Sequence, residues 1–153
     1  MEKMRNPMKF MRTCLMTVFL LAALILPSMT ALAAPRTGTY EKHFVGASAD
    51  SYRTVVIKKI KKNKVVFQIQ YARSYPFRES WTEKIVGRRT GNKVTFSYRE
   101  AGWNFTGTGV LKLKKNAVKI KTSGTPGADY GFISTGGQTF KLKRVSGGKK
   151  FAG

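Results

Sequence analysis

Residues 61–69 read KKNKVVFQI, residues 90–98 read TGNKVTFSY, and residues 114–122 read KKNAVKIKT. Each segment has a turn centred on an asparagine, followed by a run in which apolar residues occupy every second position. Alternation of this kind indicates a β-strand with one buried face, and asparagine at the turn is typical of a tight hairpin. The repetition predicts a β-meander built from similar hairpins.

The same alternation continues along the chain from residue 37 onward. It predicts about eight strands, at residues 39–45, 52–60, 65–70, 81–88, 94–98, 105–114, 118–121 and 138–145. We therefore expect an all-β domain over residues 37–145: a single antiparallel up-and-down meander that closes into a small barrel, because closure removes exposed strand edges. A β-sandwich of two sheets is the alternative.

The turns and the glycines support two more detailed expectations. Asparagine tolerates a positive φ better than other residues that carry a side chain, so Asn63, Asn92 and Asn116 suit the left-handed positions of tight hairpins. Gly107 and Gly109 interrupt a strand pattern, which is typical of a bulge or a sharp bend.

The first 33 residues have the organisation of a secretory signal. Four basic residues precede an apolar run at residues 14–26, and Ala31 and Ala33 supply the small side chains that a signal peptidase recognises. The run is shorter than the roughly 20 residues of a membrane span; an uncleaved anchor is the alternative. Cleavage after Ala33 or Ala34 would remove Cys14, the only cysteine, so we expect a secreted, extracellular domain without disulfides.

The charge of the chain is strongly basic. The whole sequence has a formal net charge of +22, and without the leader 25 Lys and Arg stand against 6 Asp and Glu, a net charge of +19. Such a charge favours anionic partners, among them cell-wall polymers, acidic polysaccharides, anionic lipid headgroups and nucleic acid. The alternative interpretation is a device for solubility, since lysines on exposed strands also block edge pairing.

Basic side chains that alternate with core positions, or that lie in nearby loops, are the candidate anion-binding residues. They are Lys58, Lys62, Lys64, Arg73, Arg78, Arg88, Arg89, Lys112, Lys114, Lys119 and Lys121.

Aromatic residues in loops form a second candidate group. Tyr75, Phe77 and Trp81 lie in or beside an arginine-containing loop, and Trp103 lies in a later loop. Such rings can stack on sugars or bases beside anionic groups. The interpretation that we prefer is that Tyr75, Phe77 and Trp81 plug one end of the barrel, with Trp103 covering the core from its own loop.

Two segments have no strand pattern. The glycine-rich stretch at residues 123–137 is either a lid over a barrel mouth or a loose connection. Residues 146–153 are basic and are expected to form a flexible tail.

Catalytic and metal chemistry find few suitable residues. His43 is the only histidine, and no cysteine remains after cleavage to supply metal ligands. No Gly-x-Ser-x-Gly motif occurs. Glu79 and Glu83, four residues apart on a strand, would be separated by roughly 13 Å, more than glycosidase carboxylates are. We expect no catalytic residue, no metal and no cofactor, and hence a protein that is not an enzyme.

Residues 37–145 resemble a group of small all-β domains in secreted proteins of Gram-positive bacteria. The similar motifs are TGTY at residues 37–40, the segments at residues 55–60, 63–69 and 91–98, GWN at residues 102–104 ahead of TGTG at residues 106–109, and FKLK at residues 140–143. The resemblance implies a fold and a location, and no activity. A looser resemblance links the chain to lipocalin-like and lysozyme-inhibitor barrels. Inhibitors of cationic lysozymes would need an acidic surface, so the charge of +19 argues against that role.

The sequence thus leads to one hypothesis and one alternative. The hypothesis is a secreted, non-catalytic protein that binds anionic polymers or cell-surface groups through a lysine-rich barrel exterior; nucleic acid is a less favoured anionic partner. The alternative is a carrier that holds a small apolar ligand inside the barrel, since eight strands enclose room for side chains or for one ligand.

Overall fold

In a computed structural model of the chain, residues 34–124, 131–148 and 150–153 are described. The leader predicted at residues 1–33 lies outside the described residues, as does part of the glycine-rich segment. The described residues form nine strands: β1 Gly38–Phe44, β2 Ser51–Ile60, β3 Lys64–Arg73, β4 Arg78–Trp81, β5 Ile85–Thr90, β6 Lys93–Arg99, β7 Thr106–Leu113, β8 Ala117–Gly124 and β9 Phe140–Ser146. The described residues contain no helix that could span a membrane.

The strands form one antiparallel sheet in the order β2-β1-β9-β8-β7-β6-β5-β3-β4. β2 also pairs with β3, which closes eight of the strands into a barrel and leaves β4 as an additional strand on β3. The prediction of an all-β meander that closes into a barrel is confirmed, and the chain does not form the alternative β-sandwich. Three hairpins leave one end of the barrel, which we call the turn end, and the remaining loops leave the other, which we call the loop end.

The strand expected at residues 81–88 is divided into β4 and β5. Both parts pair with the same edge of β3, Trp81 opposite Gln70 and Ile85 opposite Phe67. Between these pairs β3 has two residues and the other strand has three, so one residue is extra and the ladder is interrupted as at a β-bulge. Thr82 bridges the gap, because its Oγ1 accepts a hydrogen bond of 3.1 Å from the backbone N–H of Ile69.

The three repeated turns have the same role in the barrel. The backbone carbonyl of each turn asparagine accepts a hydrogen bond from a neighbouring strand, Asn63 from Arg89, Asn92 from Leu113, and Asn116 from Arg144. The prediction that these asparagines adopt positive φ is wrong, since no described residue other than glycine does so. In the second turn Gly91 has the positive φ, 59°, at the first central position, where glycine adopts it without steric cost.

The interior of the barrel is filled by side chains. The inward positions of the strands are almost completely buried, and they include Tyr40, Ile57, Phe67, Leu111 and Leu142. Phe67 and Phe96 meet edge to face, with ring centroids 5.0 Å apart, a geometry that aromatic pairs favour. This packing is that of a hydrophobic core.

Gly107 and Gly109 do not form the expected bulge. The register between β6 and β7 is regular, with Gly109 opposite Phe96 and Gly107 opposite Tyr98. A Cβ atom at Gly109 would lie 2.4 Å from Phe96 Cζ, and one at Gly107 would lie 2.6 Å from Tyr98 Cε1. Glycine is therefore required at these two positions of β7 because the aromatic rings of β6 occupy the space that a side chain would need.

We expect Gly109→Ala to lower the free energy of unfolding by about 2 kcal/mol, because overpacking a filled core forces rings and backbone to shift. The added Cβ would also lie 2.8 Å from the Lys121 backbone carbonyl oxygen, which cannot rotate away. Urea denaturation measures the effect. Gly148→Ala is the control, since nothing lies within 4 Å of its added Cβ. Equal stabilities of the two variants would contradict this account of the glycines.

The last described residues contact the barrel wall. Gln68 is buried, and its side-chain amide exchanges two hydrogen bonds with the Ala152 backbone, at 3.0 Å and 2.8 Å. Lys58 Nζ lies 5.3 Å from the centroid of the Phe151 ring. Residues 151 and 152 thus make contacts that the sequence, which predicts a flexible tail over residues 146–153, does not indicate.

Candidate functional site

Four lysines lie in line across four consecutive strands of the barrel wall. Lys93 on β6 is opposite Lys112 on β7, Lys112 is opposite Lys119 on β8, and Lys119 is opposite Lys141 on β9. We call these four residues the lysine row. Neighbouring strands lie about 4.8 Å apart, so the row extends over roughly 14 Å. The residues next to each lysine in its strand point into the core, which places the lysine row on the outer surface.

Further cations extend this surface. Lys121 follows Lys119 on the same face of β8 and, with the row lysines Lys93, Lys112 and Lys119, lines a shallow cleft of about 470 Å³. Lys64 and Arg88 are opposite each other on β3 and β5. Arg88 and Lys121 line an adjoining cleft of about 720 Å³ together with the exposed Val86. We call the lysine row together with Lys64, Arg88 and Lys121 the basic face.

In the described part of the chain no carboxylate belongs to the basic face, although the exposed Glu83 lines a cleft that shares Ser97 and Thr108 with its larger cleft. Glu41 and Glu79 line a separate cleft of about 320 Å³ on the outer surface of β1 to β4. Glu100 is buried. At the edge of the basic face, Lys143 on β9 is opposite Glu41 on β1, so acidic and basic positions meet where β9 joins β1.

The lysine row is not neutralised by carboxylates of the described residues. Among the described residues, no carboxylate lies within 4.0 Å of the four row lysines, and the pair of His43 and Asp50, at 2.9 Å, lies on the loop side of β1 and β2. Like charges directly opposite each other on adjacent strands are destabilising. The basic face therefore has unfavourable repulsion that a bound anion would relieve.

The structure brings together part of the predicted anion-binding set. The predicted residues on the basic face are Lys64, Arg88, Lys112, Lys119 and Lys121. The others lie elsewhere: Lys62, Lys114 and Arg89 at the turn end, Lys58 on the outside of β2, and Arg73 and Arg78 at the loop end.

Arg89 is engaged by the backbone at the turn end. Its Nε donates to the Gly91 carbonyl at 2.7 Å, and its Nη1 donates to the Lys61 carbonyl at 3.0 Å. The guanidinium therefore holds two turns together. Lys93 and Lys141 complete the lysine row; alternation predicts that both point outward, but the candidate anion-binding set does not include them. The signal that identifies them is strand register, which alternation within one strand does not contain.

The loop end is closed in part by Ile133, which belongs to the glycine-rich segment at residues 123–137 for which the sequence left open a lid or a loose connection. Ile133 is completely buried there; its N–H donates to Glu100 Oε1 at 2.9 Å, and its carbonyl accepts from Arg53 Nη1 at 2.9 Å. Arg53 also donates to the Ser134 carbonyl at 2.8 Å. Burial lowers the pKa of the Arg53 guanidinium. Burial, and then the Glu100 carboxylate, raise the pKa of the Tyr98 phenol to about 12.

The prediction that Tyr75, Phe77 and Trp81 plug the barrel is wrong. Tyr75 and Phe77 are 73% and 71% exposed. They lie in the loop that joins β3 to β4, and this hairpin extends beyond Phe67 and Ile85, the pair of β3 and β5 nearest to the loop end. Trp81 is half-buried on the outside, against the backbone of Gly153. Trp103 does not cover the core either, since it is 50% exposed and stacks on Phe105.

No known protein family matches the chain, and no curated protein or solved structure is similar to it. The resemblance to small secreted domains of Gram-positive bacteria therefore stays a prediction, as does the looser resemblance to lipocalin-like barrels. In the part of the chain that the structure describes, no three His, Cys, Asp or Glu side chains are grouped so that they could hold a metal ion. The described residues thus form an antiparallel β-barrel with a basic outer face.

Proposed function

We propose that this protein is a non-catalytic binding protein that holds an extended anionic polymer on its basic face. The observation that carries the proposal is the lysine row, in which four cations are in register across β6 to β9. No carboxylate of the described residues lies among them.

The shape of the basic face favours a polymer over a small anion. Its clefts are shallow and lie on the outer wall, lined by residues of consecutive strands, whereas pockets for small molecules are concave and enclose most of the ligand surface. The lysines repeat at about 4.8 Å across the sheet. A chain that carries anionic groups at short intervals could contact several of them at once.

Electrostatics supplies the driving force of the proposed complex. Binding of a polyanion to several lysines releases the counterions that had neutralised it, which favours association at low salt. The same contact relieves the repulsion within the lysine row. Binding would thus remove a repulsion between opposed lysines that reduces the stability of the free protein.

Anionic polymers of the cell envelope are the partners that we favour. The predicted secretory leader would bring the domain to them. Nucleic acid is less favoured, because proteins that bind single strands combine cations with aromatic stacking platforms. On this chain the exposed rings of Tyr75, Phe77 and Trp103 belong to the loop end. The larger cleft of the basic face has one aromatic side chain in its lining, Phe96, which is only 7% exposed.

A carrier of a small apolar ligand, the alternative from sequence, receives less support. Phe67, Leu111 and Leu142 occupy the barrel interior with almost no exposed surface, and an eight-stranded barrel can be filled by side chains alone. Catalysis is not part of the proposal.

The proposal is tested by measuring binding to heparin and to purified anionic wall polymer across a range of salt concentrations. We expect tight binding at about 0.1 M salt and loss of binding near 1 M, where screening of exposed charges is almost complete. Binding that continues unchanged at 1 M salt would show that the lysines do not hold the polymer.

A further inference from the structure

The loop end of the barrel carries a group of exposed apolar side chains. Of the six large apolar side chains that are exposed among the described residues, four lie in loops at this end. They are Val45, Tyr75, Phe77 and Trp103, which are 81%, 73%, 71% and 50% exposed. We call these four residues the aromatic tip. The other two, Val86 and Val145, are isolated on the wall and near the turn end.

The loops of the aromatic tip are tied to one another by hydrogen bonds. The Ser74 N–H donates to the Asp50 carbonyl at 2.9 Å, and the Asp50 N–H donates to Ser74 Oγ at 2.9 Å. These bonds join the loop after β1 to the loop after β3. The Ala101 N–H donates to the Trp81 carbonyl at 2.8 Å, which joins the loop after β6 to β4. The side chains of the aromatic tip are thus presented from one connected rim.

Trp103 is held in an orientation that leaves part of its ring in solvent. Its indole stacks on Phe105, with ring centroids 5.9 Å apart and an angle of 16° between the planes. The loop is fixed further by a hydrogen bond of 2.8 Å from Arg99 Nη2 to Asn104 Oδ1. Side chains that are ordered before binding lose less entropy when they bind.

Three arginines adjoin the loops of the aromatic tip. Arg73 and Arg78 are on either side of the loop that carries Tyr75 and Phe77, and Arg99 precedes the loop that carries Trp103. Of the carboxylates near these loops, Asp50 is bonded to His43 at 2.9 Å and Glu100 is buried, whereas Glu83, in the same cleft as Arg99, is exposed. Glu79, beside Arg78, is exposed.

We propose that the aromatic tip docks on the surface of an anionic lipid bilayer. Tyrosine and tryptophan have an apolar ring with a polar edge, which suits the boundary between headgroups and acyl chains. Arginine side chains beside such rings reach phosphate groups while their stems stay in apolar surroundings. In the docked state Tyr75, Phe77 and Trp103 enter the headgroup region, and the three arginines contact lipid phosphates. This surface is separate from the basic face.

The test uses the fluorescence of Trp103. The chain has two tryptophans, so Trp81→Phe leaves Trp103 as the single reporter. Vesicles of phosphatidylcholine and phosphatidylglycerol, 70:30, are compared with vesicles of phosphatidylcholine alone, the same chain being used throughout so that residues 1–33 contribute equally. We expect the anionic vesicles to shift the Trp103 emission to shorter wavelengths and lipids brominated near the headgroup to quench it.

Loop variants identify the contact. On this background the double variant Tyr75→Ser, Phe77→Ser is expected to bind the anionic vesicles at least tenfold more weakly, because two exposed rings no longer leave water. The control is Val86→Ser, Val145→Ser, which removes the two exposed apolar side chains outside the aromatic tip and should bind as before. The heparin affinity of the Tyr75→Ser, Phe77→Ser variant should be unchanged, since both substitutions lie at the loop end and leave the basic face intact.

Three outcomes would overturn the proposal. The Trp103 emission could stay constant while vesicles bind, which would mean that the basic face makes the contact. The two double variants could bind vesicles equally. The loop variant could lose binding to wall polymer, or self-association, but keep its vesicle affinity, which would assign the aromatic tip to another partner. Failure of heparin binding would concern the basic face alone.

Discussion

Replacing Glu100 by alanine is expected to lower the free energy of unfolding by about 3 kcal/mol, the cost of leaving buried partners of a charged group without hydrogen bonds. Glu100 is 1% exposed and accepts hydrogen bonds from Ser80 Oγ at 2.8 Å and from the Ile133 N–H at 2.9 Å. In Glu100→Ala both donors stay buried without this acceptor. Urea denaturation monitored by circular dichroism measures the difference.

Two further variants separate this effect from a general loss of acidic charge. Glu79→Ala removes an exposed carboxylate from the adjacent β4, and a surface substitution of this kind should change stability by less than about 0.5 kcal/mol. Glu100→Gln keeps an acceptor oxygen and should lie between Glu100→Ala and the wild type. If Glu100→Ala were as stable as Glu79→Ala, the assigned role of Glu100 in closing the loop end would be wrong.

Removal of the lysine row is expected to lower heparin affinity by a factor on the order of 10²–10³ at 0.1 M salt. Four fewer contacts should reduce the slope of log K against log salt concentration by about 3, and the difference in affinity at 0.1 M follows from that slope. The variant replaces Lys93, Lys112, Lys119 and Lys141 by glutamine. Titration of heparin at several salt concentrations measures both quantities.

The matched control replaces four exposed lysines outside the basic face by glutamine, namely Lys59, Lys61, Lys84 and Lys150. Both variants lose the same charge, so a mechanism based on net charge alone predicts equal losses of affinity. We expect the control to lose less than about tenfold. We also expect the variant without the lysine row to be at least as stable as the wild type at low salt, because opposed like charges have been removed. Equal affinities of the two variants would contradict the assignment of the site.

The architecture could be predicted from sequence because period-two alternation is local. Val65, Phe67 and Ile69 share a face by covalent geometry alone, and the three repeated segments indicated that successive hairpins are equivalent. The division between β4 and β5 could not be predicted in this way. The division arises because the chain that runs through β4 and β5 has one residue more than the segment of β3 that it faces. Such a difference is visible only when the register of the two strands is known.

The candidate site could be predicted only in part, for the same reason. Alternation indicates that Lys112 and Lys119 point outward, but it does not indicate that they are opposite each other or that Lys93 and Lys141 continue the line. The role of Gly109 could not be predicted, because the ring that leaves no room for a side chain there, that of Phe96, belongs to another strand. The sequence predicts that aromatic loop residues close the loop end, whereas the buried residue there is Ile133. Hydrogen bonds from distant parts of the chain hold it in place.

The central claim is that the lysine row is the place where the polyanion binds. Acetylation of lysines with and without a heparin oligosaccharide, followed by mass spectrometry of the peptides, measures protection at each lysine. We expect strong protection of the four row lysines and little change at Lys59, Lys61 and Lys84. Uniform protection of all lysines, or protection confined to residues outside the basic face, would contradict the claim.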